Sequence, residues 1–157
     1  YPDACLVQTH REPAKMVASL ANMIRALRRA RFPELVALQD PKAIARSVLA
    51  HFGEALERSV VSRQDPRVDE RFLDIAYRDV VADPLGSVRR IYQHFDLPWS
   101  AVFEDRLTAH IGLGRSTGHG KHVYDPSEFE IDALGLADQF LQYRERFGDL
   151  LEDEAAA

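Results

Sequence analysis

Residues 4–19, ACLVQTHREPAKMVAS, contain the pattern that decides the fold. Residues 4–9 form a short apolar run between Pro2 and Pro13, which is typical of a buried strand. Pro13 suits the first position of a helix, because its missing N–H costs no hydrogen bond there. Apolar residues then recur at helical spacing, namely Met16, Leu20, Ile24 and Leu27. The segment therefore predicts a strand, a short turn and a helix.

The next stretch repeats this alternation. Asp40 is a good N-cap and precedes Pro41, so a second helix is predicted from there to about Ser62. The helix is broken before Pro66, and residues 72–77, FLDIAY, have the composition of a second buried strand. Because strands separated by helices imply parallel crossovers, the predicted fold class is α/β, helix-rich, with about two parallel strands.

The rest of the chain is predicted to be mostly helical. N-cap residues followed by apolar periodicity indicate helix starts, and a run with four glycines and no periodicity indicates a loop. The predicted elements are a helix capped by Asp83 and ended by Leu97-Pro98, a helix over residues 100–110, a loop over residues 112–126, and a final helix from Asp125 or Ser127 to Phe147, just before Gly148.

Composition and length set limits on function. A chain of 157 residues favours one domain, predicted over residues 1–150 with an acidic, alanine-ended tail over residues 151–157. A net charge of -5 argues against non-specific nucleic-acid binding, and no apolar run reaches the roughly 18 residues of a membrane span. The single cysteine, Cys5, cannot form an internal disulfide, so a cytoplasmic location is predicted.

Arg11 and Ser19 are candidates for binding an anion. Ligands of parallel sheets bind beyond the carboxyl ends of strands, where helix N-termini offer free N–H groups. Arg11 follows such a strand end, and its planar donors match phosphate oxygens in pairs. The alternative is that Arg11 is solvated or paired with a carboxylate and that Ser19 only fills space. Spacing by itself leaves both interpretations open.

The sequence of this segment resembles a pattern found in a known family. His10-Arg11-Glu12-Pro13 followed by Ser19 is similar to the H-R-[DE]-P-x5-S pattern of sulfotransferases that use 3'-phosphoadenylyl sulfate (PAPS). In that family the pattern binds the 3'-phosphate of the nucleotide. The resemblance implies that Arg11 and Ser19 have this role. It also implies the C-terminal portion of a three-layer fold like that of P-loop nucleotide hydrolases.

Two later stretches also resemble this family. Residues 77–84, YRDVVADP, are similar to its Y-E-D-x3-D-P stretch, which implies that Tyr77 lies beside the adenine; the alternative is a core tyrosine that caps the strand. Residues 118–124, GHGKHVY, resemble the basic glycine-containing loop that these enzymes place over the nucleotide. Nucleotide or substrate contacts are implied for four residues of this region, Arg115, Gly120, Lys121 and His122.

The resemblance also predicts where the family's remaining functional groups lie. The chain begins at Tyr1 without methionine and moves directly into an apolar run, so we expect it to start in mid-domain. The family's loop for the 5'-phosphosulfate and its catalytic base are expected upstream of Tyr1, and no G-x4-G-K-[ST] loop occurs here. No metal is implied, since His119 and His122 lack a third ligand at a suitable spacing.

The acceptor and the rival functions stay open. The acceptor is expected to be a small molecule or a glycan, with residues 41–62 and 99–117 as candidate pocket walls. Phe52, Trp99 and Phe103 would line that pocket or pack in the core. The alternatives are a small-molecule kinase or other P-loop nucleotide enzyme, and a non-catalytic interaction domain. The sequence does not predict the oligomeric state.

Overall fold

The computed structural model of the chain describes residues 3–38, 40–116, 126–130 and 139–151. The chain divides into two compact units. The first unit comprises Tyr1–His10 and Pro66–Val123, and the second comprises Arg11–Asp65 and Tyr124–Ala157. The single domain predicted over residues 1–150 stays a prediction.

Helices dominate both units. Along the described residues the elements are β1 (Leu6–His10), α1 (Pro13–Arg31), a 3₁₀ helix (Pro33–Leu38), α2 (Pro41–Ser62), α3 (Pro66–Asp69), β2 (Phe72–Ala76), α4 (Tyr77–Ala82), α5 (Pro84–His94), α6 (Ala101–Ser116), a second 3₁₀ helix (Pro126–Phe129) and α7 (Leu141–Leu151).

A two-stranded parallel sheet lies in the first unit. β1 pairs with β2 in a register that sets Leu6 opposite Phe72 and His10 opposite Ala76. Ile75 and Ala76 are almost completely buried, as expected for a strand in a parallel sheet. The predicted pair of parallel strands is therefore confirmed with shifted bounds. β1 runs over Leu6–His10 and not over residues 4–9, and β2 ends at Ala76 because Tyr77 already begins α4.

The hydrophobic core of the second unit is built by α1, α2 and α7. Each helix contributes buried residues about four positions apart, which is the spacing of one helical face. The buried members of this core include Val17 and Ala21 from α1, Ile44, Val48, Leu56 and Val60 from α2, Phe129, Phe140, and Tyr143, Phe147 and Leu151 from α7. This core fixes α1, the helix that carries Ser19.

Two helix starts occur where N-caps are predicted. The Asp40 carboxylate accepts a hydrogen bond from the Lys42 N–H at 2.9 Å, and α2 begins at Pro41. The Asp83 carboxylate accepts from the Gly86 N–H at 2.9 Å, and α5 begins at Pro84. A side-chain oxygen that caps a first turn satisfies a backbone donor that the helix itself cannot pair.

The predicted end of the helix over residues 100–110 is wrong, because α6 continues to Ser116. Gly112, which was taken to begin a loop, lies inside the helix, and a methyl group there would meet nothing within 4 Å. A glycine in a helix costs only about 1 kcal/mol relative to alanine, so it does not end a helix by itself. Residues 117–125 of the predicted loop lie outside the described residues.

The predicted bounds of the final helix are also wrong. Residues Pro126–Phe129 form a 3₁₀ helix, and α7 runs from Leu141 to Leu151, passing through Gly148. The reason is the apolar spacing, since Tyr143, Phe147 and Leu151 recur every four residues on one buried face. Burying Leu151 extends the helix beyond the glycine that was expected to end it.

Among the helices of the described residues, none combines the length and the apolar character that a membrane-spanning helix needs.

Candidate functional site

The connection between β1 and α1 contains the candidate anion-binding segment. β1 ends at His10, and Glu12 is the N-cap of α1 with φ -50° and ψ 121°, so Arg11 lies in a two-residue link. The Glu12 carbonyl accepts from the backbone N–H groups of Lys15 at 3.0 Å and Met16 at 3.1 Å, which fixes the first turn. Ser19 lies in the second turn of the same helix, and Arg11 and Ser19 are both half-buried.

The residue before Arg11 is held by a buried pair. The His10 side chain is completely buried, and its Nε2 lies 2.8 Å from Oδ1 of Asp74 on the neighbouring strand β2. A buried imidazole needs such a partner, since an unpaired polar group away from water is costly. Asp74 is not among the residues predicted from the sequence, although a single carboxylate in the otherwise apolar strand FLDIA is a signal for a specific partner.

The residue after Arg11 is held by an ion pair. Arg144 of α7 donates a hydrogen bond from Nη2 to Oε1 of Glu12, across 132 positions of sequence. The two side chains are 26% and 33% exposed, Glu12 first, so water reaches the pair only in part. This contact cannot be predicted from the sequence, because nothing in a single sequence links two residues so far apart.

Tyr77 lies at the carboxyl end of β2, as its first helical neighbour. It is the first residue of α4 and its side chain is 42% exposed. The alternative of a core tyrosine is therefore wrong. The adjacent Arg78, which replaces the more common glutamate of the resembling stretch, lies 3.7 Å from the carboxylate of Asp79.

The predicted site residues are distributed over both units. Arg11 and Ser19 lie on one segment of the second unit, and Tyr77 lies in the first. Gly120, Lys121 and His122 lie outside the described residues, and the side chain of Arg115 is not described either. Their contacts with a nucleotide stay predictions.

The first unit contains a cluster of three aromatic residues, Tyr92, Trp99 and Phe103. Tyr92 and Trp99 line a cavity of about 590 Å³ between α5 and α6. The Tyr92 and Phe103 rings stack with centroids 5.0 Å apart, and Trp99 meets both edge-on at 5.1 Å. Two charged residues complete it. Trp99 donates from Nε1 to Glu104 at 2.8 Å, and Arg89 pairs with the same carboxylate.

The surroundings of Glu104 change the pKa of its carboxyl group. The Trp99 hydrogen bond, and then the hydrogen bond and positive charge of Arg89, lower the pKa of the Glu104 carboxyl below its ordinary value of 4.5. Trp99 and Phe103, expected in a pocket wall or the core, thus lie in an aromatic cluster beside the Arg89–Glu104 ion pair. Phe52, the third of these aromatics, packs against the core of the second unit with its ring 6.4 Å from Phe140.

Comparison with known proteins identifies the family. The sequence profile described as "Sulfotransferase family" matches residues 1–101, well over half of the chain. The chain belongs to the sulfotransferase family. Its structure is similar to the sulfotransferase STF9 from Mycobacterium avium, with a TM-score of 0.76 and 26% sequence identity. The match covers 99% of this chain and 38% of the mycobacterial one. No curated protein matches the sequence.

Membership in the family confirms two expectations for this chain. The α/β fold with parallel strands is that of a known sulfotransferase structure, and the chain belongs to a family of transferase enzymes. Within the part of the chain that the structure describes, no group of three or more His, Cys, Asp and Glu side chains could hold a metal ion. His119 and His122, the histidine pair noted in the sequence, lie outside that part.

Proposed function

We propose that this sulfotransferase uses PAPS as its donor and that the present chain supplies the part that binds the 3'-phosphate. One observation carries the proposal: Arg11 and Ser19 lie at the start of α1, with the spacing of the family pattern. A helix of 19 residues places partial positive charge at this end, and its first turn contains no acidic residue. The guanidinium, the hydroxyl and the helix end all favour a phosphate.

The proposed reaction is an in-line displacement at sulfur. The S–O bond to the nucleotide's 5'-phosphate breaks as a bond from sulfur to the acceptor hydroxyl or amine forms, and the acceptor proton passes to a base. Such reactions depend mainly on positioning and on stabilising charge as it develops. Arg11 and Ser19 contribute to positioning, because anchoring the 3' end of the nucleotide fixes where its 5' end can lie. The base is expected upstream of Tyr1.

The remaining contacts belong to the same proposal. Tyr77, half-exposed at the end of β2, would stack against the adenine, and Gly120, Lys121 and His122 would cover the nucleotide. The acceptor would be a small molecule or a glycan, and neither nucleic acid nor a metal is required. A cytoplasmic location follows from the single cysteine, Cys5.

A thermal-shift comparison tests the proposal. The full-length protein is heated with adenosine 3',5'-bisphosphate, with ATP, or with neither. A ligand that binds only the folded protein stabilises it by about 2.7 kcal/mol at 100 times its Kd. We expect a rise in Tm with the bisphosphate and none with ATP. Stabilisation by ATP instead would favour a kinase-like enzyme, and no response to either nucleotide would contradict the proposed donor.

A further inference from the structure

The acidic residue next to Arg11 creates an electrostatic problem for the proposed site. Glu12 places a carboxylate directly beside the arginine that is proposed to bind a phosphate, at the positive end of α1. An uncompensated carboxylate here would repel a phosphate dianion and compete with it for the Arg11 guanidinium. Something must neutralise Glu12 if this segment is to bind an anion.

Arg144 lies where it can neutralise Glu12. Its Nη2 donates to the Glu12 carboxylate, and the helix that carries it is anchored in the core by its neighbour Tyr143 and by Phe147. The guanidinium is therefore delivered to Glu12 by a fixed helix, and both partners of the pair are at least two-thirds shielded from solvent. A shielded pair is screened less by salt than a surface pair.

A second feature of Arg144 supports this assignment. Among the described residues, its Nε is a buried side-chain nitrogen with no hydrogen-bond partner. Burying a donor without a partner is unfavourable. The side chain is thus held in a position that leaves its Nε without a partner but brings its Nη2 to Glu12.

We infer that Arg144 is a positioning residue of the 3'-phosphate segment. It neutralises Glu12 and holds the first turn of α1, so that the carboxylate next to Arg11 does not repel the phosphate. Arg144 is not expected to contact the nucleotide. The inference rests on the proposed function and adds to it a residue from the opposite end of the chain, on a helix outside all three stretches that resemble the family.

Calorimetric titration of the full-length protein with adenosine 3',5'-bisphosphate tests the inference. We expect Arg144→Ala to weaken binding about tenfold, as for one uncompensated charge near the ligand in a partly screened site. Arg144→Lys keeps the charge and should stay within about threefold of the wild type. Arg146→Ala removes the same charge from the exposed side of the same helix, and serves as the matched control with unchanged affinity.

The decisive variant is the double substitution Glu12→Gln with Arg144→Ala. If Arg144 acts by neutralising Glu12, removing the carboxylate as well should restore affinity to within about threefold of the wild type. Tm is measured for every variant, and Arg144→Gln replaces Arg144→Ala if the latter does not fold.

Three results would overturn the inference. The first is unchanged binding by Arg144→Ala, or by Arg144→Gln where it takes the place of Arg144→Ala, and the second is a double variant as weak as the single one. Either result leaves the proposed function intact. The third is a wild-type protein that does not bind the bisphosphate, which would overturn the proposed function together with this inference.

Discussion

At the scale of single residues, both neighbours of Arg11 are held by partners from distant parts of the sequence. His10 is buried and bonded to Asp74 within the first unit, and Glu12 is paired with Arg144 within the second. Each neighbour of Arg11 is therefore fixed by a partner within its own unit. Fixed neighbours lower the conformational entropy that binding must overcome.

The first prediction concerns Arg11 itself. Arg11→Ala in the full-length protein should weaken adenosine 3',5'-bisphosphate binding by ~1.5 to 3 kcal/mol, the range for a lost hydrogen bond to a charged group. Lys15→Ala, which removes an exposed positive charge one turn further along, is the control and should change little. Both are measured by calorimetry. Equal affinity of wild type and Arg11→Ala would contradict the role.

The second prediction concerns Glu104 and uses the chain's only tryptophan, Trp99, as the reporter. The pKa of Glu104 is lowered in the folded protein, so the contribution of its charged form is present above the ordinary value of 4.5 and is lost as pH falls through the lower, folded pKa. Trp99 fluorescence should therefore change in acid with a midpoint below 4.5.

Substitution separates this transition from general acid unfolding. Glu104→Gln removes the titrating group and keeps an acceptor for the Trp99 N–H, so the low-pH change in fluorescence should disappear while Tm at neutral pH changes little. The same transition in Glu104→Gln, or a midpoint above 4.5 in the wild type, would show that the Trp99 hydrogen bond and Arg89 do not tune this carboxyl.

At the scale of elements, the starts of helices could be predicted better than their ends. Asp40 and Asp83 mark α2 and α5 correctly, because an N-cap acts through a local hydrogen bond that the sequence itself contains. Gly148 misled the assignment of α7, because the packing of Leu151 in the core continues the helix beyond it. Gly112 misled the assignment of α6, because one glycine inside a helix costs only about 1 kcal/mol and does not by itself end it. Packing partners from elsewhere in the chain are not visible locally.

The third prediction tests the extension of α7 beyond Gly148. Leu151 is 8% exposed in the core of the second unit, whereas Leu141 on the same helix is 55% exposed. Leu151→Ala should lower the free energy of unfolding by about 2 kcal/mol, at the low end for a buried leucine because it lies at a helix end. Leu141→Ala should change it by less than about 0.5 kcal/mol.

Urea unfolding followed by circular dichroism provides both values, with the m-value as a check that the transition stays the same. Equal effects of the two substitutions would mean that the helix does not bury Leu151, and that the end expected at Phe147 was right.

At the scale of the whole molecule, the short sequence motifs predicted the family, whereas the apolar periodicity predicted only the fold class. Periodicity indicated an α/β chain, whereas three stretches pointed to a sulfotransferase: His10–Pro13 with Ser19, residues 77–84 and residues 118–124. The family match over residues 1–101 confirms the family. The pairs His10 with Asp74 and Glu12 with Arg144 could not be predicted, since each joins residues 64 or 132 positions apart. Such contacts are set by topology and side-chain geometry, which a single sequence does not encode in any local pattern.

The last prediction separates binding from catalysis. The chain covers 38% of the matched mycobacterial sulfotransferase, and its sequence contains no glycine-rich loop of the G-x4-G-K-[ST] type for a 5'-phosphosulfate. The 157-residue chain should therefore show no sulfuryl transfer, whereas the full-length protein should, because positioning only the 3' end leaves the reacting sulfur and the acceptor proton without protein groups. Transfer is followed with isotopically labelled donor and a panel of hydroxyl and amine acceptors. Turnover by the pure 157-residue chain, abolished by Arg11→Ala, would mean that all the catalytic groups lie within these residues.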